Sequence, residues 1–161
     1  MTRYFSYPLL MISLSVILTG CSKEEKPPLV YKEPNFQKVS LYDKTVFTYQ
    51  TDTLFEVAST RAKASFQDDL HNIVVYAQKH PDLQILVQTF GGVENHSNVS
   101  LRDNTFKSEA VASFLWQSGV DSSRIGYQGF AGGERLVARE VTSAGSALNR
   151  RIEISFMPKI G

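Results

Sequence analysis

The side chains that most often carry chemistry are few in this sequence, and their spacing does not suit catalysis. His71, His80 and His96 show no ligand spacing, so they do not suggest a metal centre. No Gly-x-Ser-x-Gly element frames a nucleophile. Gly126, Gly129, Gly132 and Gly133 miss the phosphate-binding spacing and the strand-to-helix context it needs. The single cysteine, Cys21, allows neither an intramolecular disulfide nor an all-cysteine metal site. A polar cluster remains near the C-terminus, Asn149-Arg150-Arg151. Arg150 and Arg151 leave two roles open: contact with a ligand through the guanidinium fork, or pinning of the last strand to the neighbouring loop. The second role weighs more for Arg151, which begins that strand. Asn149 is expected to satisfy backbone groups at the turn. No nucleophile, base and oxyanion arrangement can be assembled from these parts, so the expectation is a protein that is not an enzyme and uses no cofactor.

Composition narrows the class further. A chain of 161 residues that is 42% hydrophobic and 20% charged has room for one domain with a real core and a tail. Its formal net charge is +1, and Arg3 is the only charged residue ahead of Cys21. Such a balanced chain offers no electrostatic case for nucleic acid or for an anionic membrane surface. Leu9 to Leu18 is apolar except for Ser13 and Ser15, and the small residues Thr19 and Gly20 lead to Cys21. With Arg3 in front, this reads as an export signal over residues 1–20, too short to span a bilayer comfortably. Leu18-Thr19-Gly20-Cys21 resembles the lipobox of bacterial lipoproteins. The resemblance implies that Cys21 becomes the first residue and carries acyl chains, palmitate among them, each buried methylene contributing roughly 0.8 kcal/mol. Ser22, where an aspartate would retain such a protein elsewhere, implies the outer membrane. Residues 21–40 then read as the lipidated N-terminus and a linker, charged and bearing Pro27, Pro28 and Pro34. About 19 extended residues reach roughly 60 Å.

The folded part is expected over residues 41–161. Val46–Tyr49 and Thr53–Val57 read as two strands around Gln50-Thr51-Asp52. Phe66, Leu70, Ile73, Val74 and Ala77 make one helical stripe, ended by Pro81. Leu83–Thr89 reads as a buried strand broken by Gly91-Gly92, and residues 91–103 as a polar loop. A second helix is expected from an Asn104 N-cap to about Gly119, with a stripe of Phe106, Ala110, Val111, Phe114 and Leu115. Trp116 on it reads as core. A strand at Arg124–Phe130 follows, with Tyr127 or Phe130 open beside a pocket. A loop over 131–142, a helical turn over 143–150 and a final strand burying Ile152, Ile154 and Phe156 complete the chain. Strands alternating with helices imply an α+β fold: a mixed sheet with helices packed on it.

Several stretches resemble OmpA-like domains, over about residues 53–157. Gly145-Ser146-Ala147-Leu148-Asn149-Arg150-Arg151-Ile152-Glu153 is similar to that family's Gly-Arg-Ala-x-Asn-Arg-Arg-Val-Glu. Val111, Leu115 and Gly119-Val120 fit its Val-xxx-Leu-xxx-Gly-Val, and Arg124-Ile125, Gly129 and Val137-Ala138 also fit. Phe55-Glu56-Val57 is set against its first-strand Phe-Asp-Phe. The resemblance implies a β-α-β-α-β-β fold and non-catalytic binding of the diaminopimelate-bearing stem peptide of peptidoglycan. In the family an aspartate receives the ligand's ammonium and an arginine clamps its carboxylate. Counted back from Gly119-Val120, that arginine falls on Lys107 and the aspartate on Gly92. A second family acid falls on Ala58. Lys107 keeps the charge without the fork, and Glu94 or Asp103 could supply a carboxylate. The implied candidates are therefore Lys107, Glu94, Arg150, Arg151 and Asn149. Two functions follow as expectations: an outer-membrane lipoprotein tethering the envelope to peptidoglycan, or a structural subunit of a multiprotein envelope machine such as a type IVB (Dot/Icm) secretion system, where the domain docks other proteins.

Overall fold

The computed structural model describes residues 36–91, 98–131 and 149–159. Five strands, β1 (Gln37–Ser40), β2 (Thr45–Gln50), β3 (Leu83–Phe90), β4 (Ile125–Phe130) and β5 (Arg151–Pro158), form one mixed sheet in the order β1-β2-β5-β3-β4. The last strand in sequence takes the centre, antiparallel to β2 and β3, while β3 and β4 run parallel. A one-turn helix, α1 (Thr51–Leu54), and then α2 (Phe66–Lys79) connect β2 to β3; α3 (Asn98–Gln117) connects β3 to β4. This is the α+β class and mixed sheet that the sequence leads one to expect.

Register decides which residues are buried. Phe47 and Tyr49 of β2, Ile152, Ile154 and Phe156 of β5, and Ile85 and Val87 of β3 share one face and are buried. Onto that face α2 lays Phe66, Leu70, Ile73, Val74 and Ala77, the five residues of the sequence stripe, and α3 adds Val111 and Leu115. Each fully buried aliphatic side chain contributes roughly 1.5–3 kcal/mol. Phe66 ties the elements together, edge-on to Phe55 at 5.5 Å and to Phe114 at 5.7 Å. The opposite face carries a polar row in register, Thr48, Glu153, Gln88 and Gln128.

The helix ends are closed by identifiable partners. Arg124 donates to the carbonyls of His80 (2.7 Å), Leu83 (2.8 Å) and Ala77 (3.4 Å), so the exit of α2 is fixed to the starts of β3 and β4. At the end of α3, Val120 N bonds Leu115 O and Gly119 N bonds Trp116 O, with Gly119 at φ 91°. That pair is a Schellman closure, and glycine reaches its positive φ without a Cβ penalty.

Three expectations need correction. Thr53–Val57 is not a strand. The chain leaves the sheet at Thr51, whose N–H closes on Arg150 O at 3.0 Å, turns through α1, and leaves Phe55 only an isolated bridge to Ala62. The second strand of the hairpin is β1, whose four residues lie in what reads as linker; all four are exposed, so no alternation marks them. Next, α3 begins at Asn98, and Asn104 is an interior residue, buried, with its amide donating to Phe130 O at 2.6 Å. Finally, Phe106 and Trp116 are 50% and 60% exposed. The face of α3 turned to the sheet is polar where it meets β3 and β4, at Asn104 and Ser108, which disguises its true stripe.

Candidate functional site

The position of α3 is set by its contact with β4. A Cβ on Gly129 would lie 2.2 Å from the Thr105 backbone nitrogen, so only glycine lets the helix come this close. Beneath it the buried Ser108 hydroxyl lies 2.8 Å from Thr89 Oγ1 and 2.8 Å from Gln128 O. With the Asn104 bond, these contacts hold α3 over the β3–β4 pair at the end of the sheet where β5 begins. The helix thereby carries Lys107 and Asp103 toward α1 and the start of β5.

At this end Asp52 of α1 accepts from Arg150 Nη2 at 3.2 Å, each side chain about one-third exposed. The Lys63 ammonium donates to the Asp52 carbonyl, which steadies α1. Lys107 is half-buried and makes no ion pair within 4.0 Å among the described residues. Burial pushes its ammonium below the usual lysine range; Asp103 and Asp52 oppose that shift, and Arg150 adds to it. Two cations and two carboxylates thus share one electrostatic neighbourhood. Beside them the Thr51 hydroxyl is buried without a hydrogen-bond partner among the described residues.

The structure separates the two consecutive arginines. Arg150 turns toward Asp52 and the helix side, whereas Arg151 is buried on the opposite face of the sheet. There its guanidinium lies 4.0 Å from the Phe90 ring centroid and its Nε 2.5 Å from Glu153 Oε1. Phe90 in turn stacks on Phe130, centroids 4.9 Å apart and 5° from parallel. Arg150 and Arg151 therefore cannot grip one ligand together. Asn149 is buried, and its carbonyl accepts from Arg151 Nη1 at 3.4 Å. Tyr127 is 47% exposed on β4. Glu94 and Cys21 lie outside the described residues, as do Gly92 and residues 132–148.

Asp52 is the residue that sequence reasoning missed. With Phe55–Val57 off the sheet, the alternating pair on the strand ahead of α2 is Phe47-Thr48-Tyr49. The offset that pointed to Ala58 then points to Gln50, two residues from Asp52. The signal was the alternation Phe47–Tyr49 followed by an acid in the first helical turn.

Comparison with known structures decides the fold. The periplasmic domain of Helicobacter pylori MotB superposes with a TM-score of 0.68 over 78% of this chain and 80% of that one, at 18% identity. The cell wall anchor of the type VI secretion system from Pseudomonas aeruginosa gives 0.68 over 78% of this chain and 89% of its own, at 25% identity. The peptidoglycan-associated lipoprotein of Burkholderia pseudomallei gives 0.57 over 65% and 87%, at 22% identity. The domain has the OmpA-like fold. In sequence, the OmpA-like chain is 27% identical over 116 residues to the probable lipoprotein YiaD of Escherichia coli K12. That match covers 72% of this chain and 52% of YiaD, so the chain spans about half the length of this relative. No protein-family model matches the chain.

Proposed function

We propose that this chain is an outer-membrane lipoprotein, held by acyl chains on Cys21, whose periplasmic OmpA-like domain docks on the peptidoglycan stem peptide without catalysis. The fold supports this reading, as does likeness to a lipoprotein and to a cell wall anchor. Residues 1–20 would be the signal peptide and the residues between Cys21 and β1 the flexible tether.

The observation that carries the binding reading is Lys107, a half-buried cation without an ion-pair partner among the described residues, set among Asp52, Asp103 and Arg150. A ligand end bearing both an ammonium and a carboxylate complements such a set. Lys107 would take the carboxylate as a point charge, and Asp52 or Asp103 the ammonium. The Asp52–Arg150 pair is partly exposed and weakly held, so opening it to admit the ligand costs little, about 0–1 kcal/mol.

The test is calorimetric titration of the mature chain with a stem tripeptide ending in diaminopimelate, beside the same peptide ending in lysine, which lacks the second carboxylate. The expected result is binding weakened at least about tenfold for the lysine peptide. Equal affinity for the two, or none for either, would overturn the reading. One observation favours a second reading, the docking of other proteins of an envelope machine: the outward face of α3 exposes the large aromatics Phe106 and Trp116. Failure of the titration together with loss of complex assembly in a Phe106→Ser, Trp116→Ser variant would put that reading first.

A further inference from the structure

We infer that the hairpin tip between β1 and β2 is a second contact site, whose partner is the lipid surface that holds the anchor. The inference rests on the lipid-anchor reading above. Tyr42 is fully exposed at this tip, and Val39 and Leu41 beside it are 49% and 51% exposed. The Leu41 N–H bonds Lys44 O at 2.7 Å, so the turn over Leu41–Lys44 is closed, with Val39 just ahead of it on β1. A tyrosine with neighbouring aliphatics suits the interface between headgroups and acyl chains, where a ring can bury its body and keep its hydroxyl wet. Asp43 and Lys44 at the same turn offset one another, so the attraction is apolar rather than ionic.

Two further features select the membrane as the occupant. Cys21 precedes Gln37 by 16 residues in sequence, a tether of roughly 50 Å at most. Anchoring therefore keeps the tip at high effective concentration beside the bilayer, where a weak contact suffices. The sheet also places the two sites at opposite ends. Ser40 and Thr45 pair at the end of Phe156, whereas Gln50 pairs with Arg151 beside the Asp52 and Lys107 cluster. Five strand steps, roughly 17 Å, separate these levels. Seating Tyr42 and Leu41 in the lipid turns the charged cluster away from the membrane, toward the wall.

The experiment uses the mature lipidated chain reconstituted in phosphatidylethanolamine–phosphatidylglycerol vesicles, with Cys21 blocked by its acyl chains. An environment-sensitive fluorophore is placed on Tyr42→Cys and, separately, on Thr60→Cys, an exposed site in the loop ahead of α2. The expected result is blue-shifted emission from position 42, quenched several-fold more by a lipid-soluble quencher than position 60, and unchanged by added salt. Water-like emission from position 42 on a vesicle-bound chain would overturn the tip contact and leave the anchor standing. Equal quenching at both positions would overturn the orientation. A chain that does not stay on the vesicles at all would overturn the anchor reading and this inference with it.

Discussion

Gly129→Ala tests how the charged cluster is held in place. A Cβ there would lie 2.2 Å from Thr105 N, 2.6 Å from the Asn104 carbonyl carbon and 2.7 Å from Thr105 Cα. All three are backbone atoms of α3, so no side-chain rotation relieves the clash. To restore a contact of 3.4 Å the helix must retreat by about 1 Å. That movement stretches the 2.6 Å Asn104–Phe130 bond and the two 2.8 Å contacts of Ser108, all buried or partly buried. Overpacking alone costs about 1–3 kcal/mol. Weakening these contacts adds about 1 kcal/mol for each of the two side chains, Asn104 and Ser108. The expected loss is about 3–5 kcal/mol, a large share of the roughly 5–15 kcal/mol that stabilises an ordinary domain. Urea unfolding followed through Trp116, the only tryptophan and a residue of α3, reports it directly. Gly126→Ala is the comparison: its nearest atom is the flexible Leu86 Cδ1 at 3.4 Å, so it should change stability by less than about 0.5 kcal/mol. A loss below about 1 kcal/mol for Gly129→Ala, or equal losses at the two glycines, would refute the claim that α3 is seated by this contact.

Three other outcomes are expected. Because burial holds the Lys107 ammonium below the usual lysine range, ligand binding should fall as pH rises, at lower pH than for Lys107→Arg, whose guanidinium stays charged; titrations across neutral to alkaline pH check this. Asp52→Asn removes a partly exposed ion pair with Arg150, so the urea midpoint should move by less than about 1 kcal/mol in free energy while stem-peptide affinity falls about tenfold or more. Tyr49 donates to the Asp69 carbonyl at 3.0 Å, so Tyr49→Phe should cost about 1 kcal/mol at neutral pH. Burial, helped by the Asp69 charge, raises the Tyr49 phenol well above its ordinary 10.0. The folded chain then keeps a proton that the unfolded chain gives up, and stability should decline as pH climbs past about 10, less steeply in Tyr49→Phe.

Much of this fold is legible in the sequence because its central elements follow single physical rules. The α2 stripe repeats at helical spacing and is buried as read, and β5 alternates because one of its faces meets the helices. The illegible parts break those rules. The edge strand β1 has four exposed residues and no pattern to read. α3 buries Asn104 and Ser108 against backbone carbonyls, so its inner face looks polar, and Phe106 and Trp116 read as inward although they are exposed. The candidate site was half visible. Counting points to Lys107, but pairing Phe55 with the first strand hides Asp52, whose place beside Arg150 depends on a turn in the chain that only the sheet register reveals. In sequence Arg150 and Arg151 leave the same two roles open, ligand contact and strand pinning, and strand geometry sends them to opposite faces.

The charged cluster around Lys107 carries the proposed binding of peptidoglycan by this OmpA-like domain. Co-sedimentation of the mature chain with purified sacculi, beside Lys107→Ala and Lys107→Arg, tests it most directly. The natural chain should sediment, Lys107→Ala should lose at least about nine-tenths of the bound protein, and Lys107→Arg should keep it. A natural chain left in the supernatant, or a Lys107→Ala variant that sediments equally well, would contradict it.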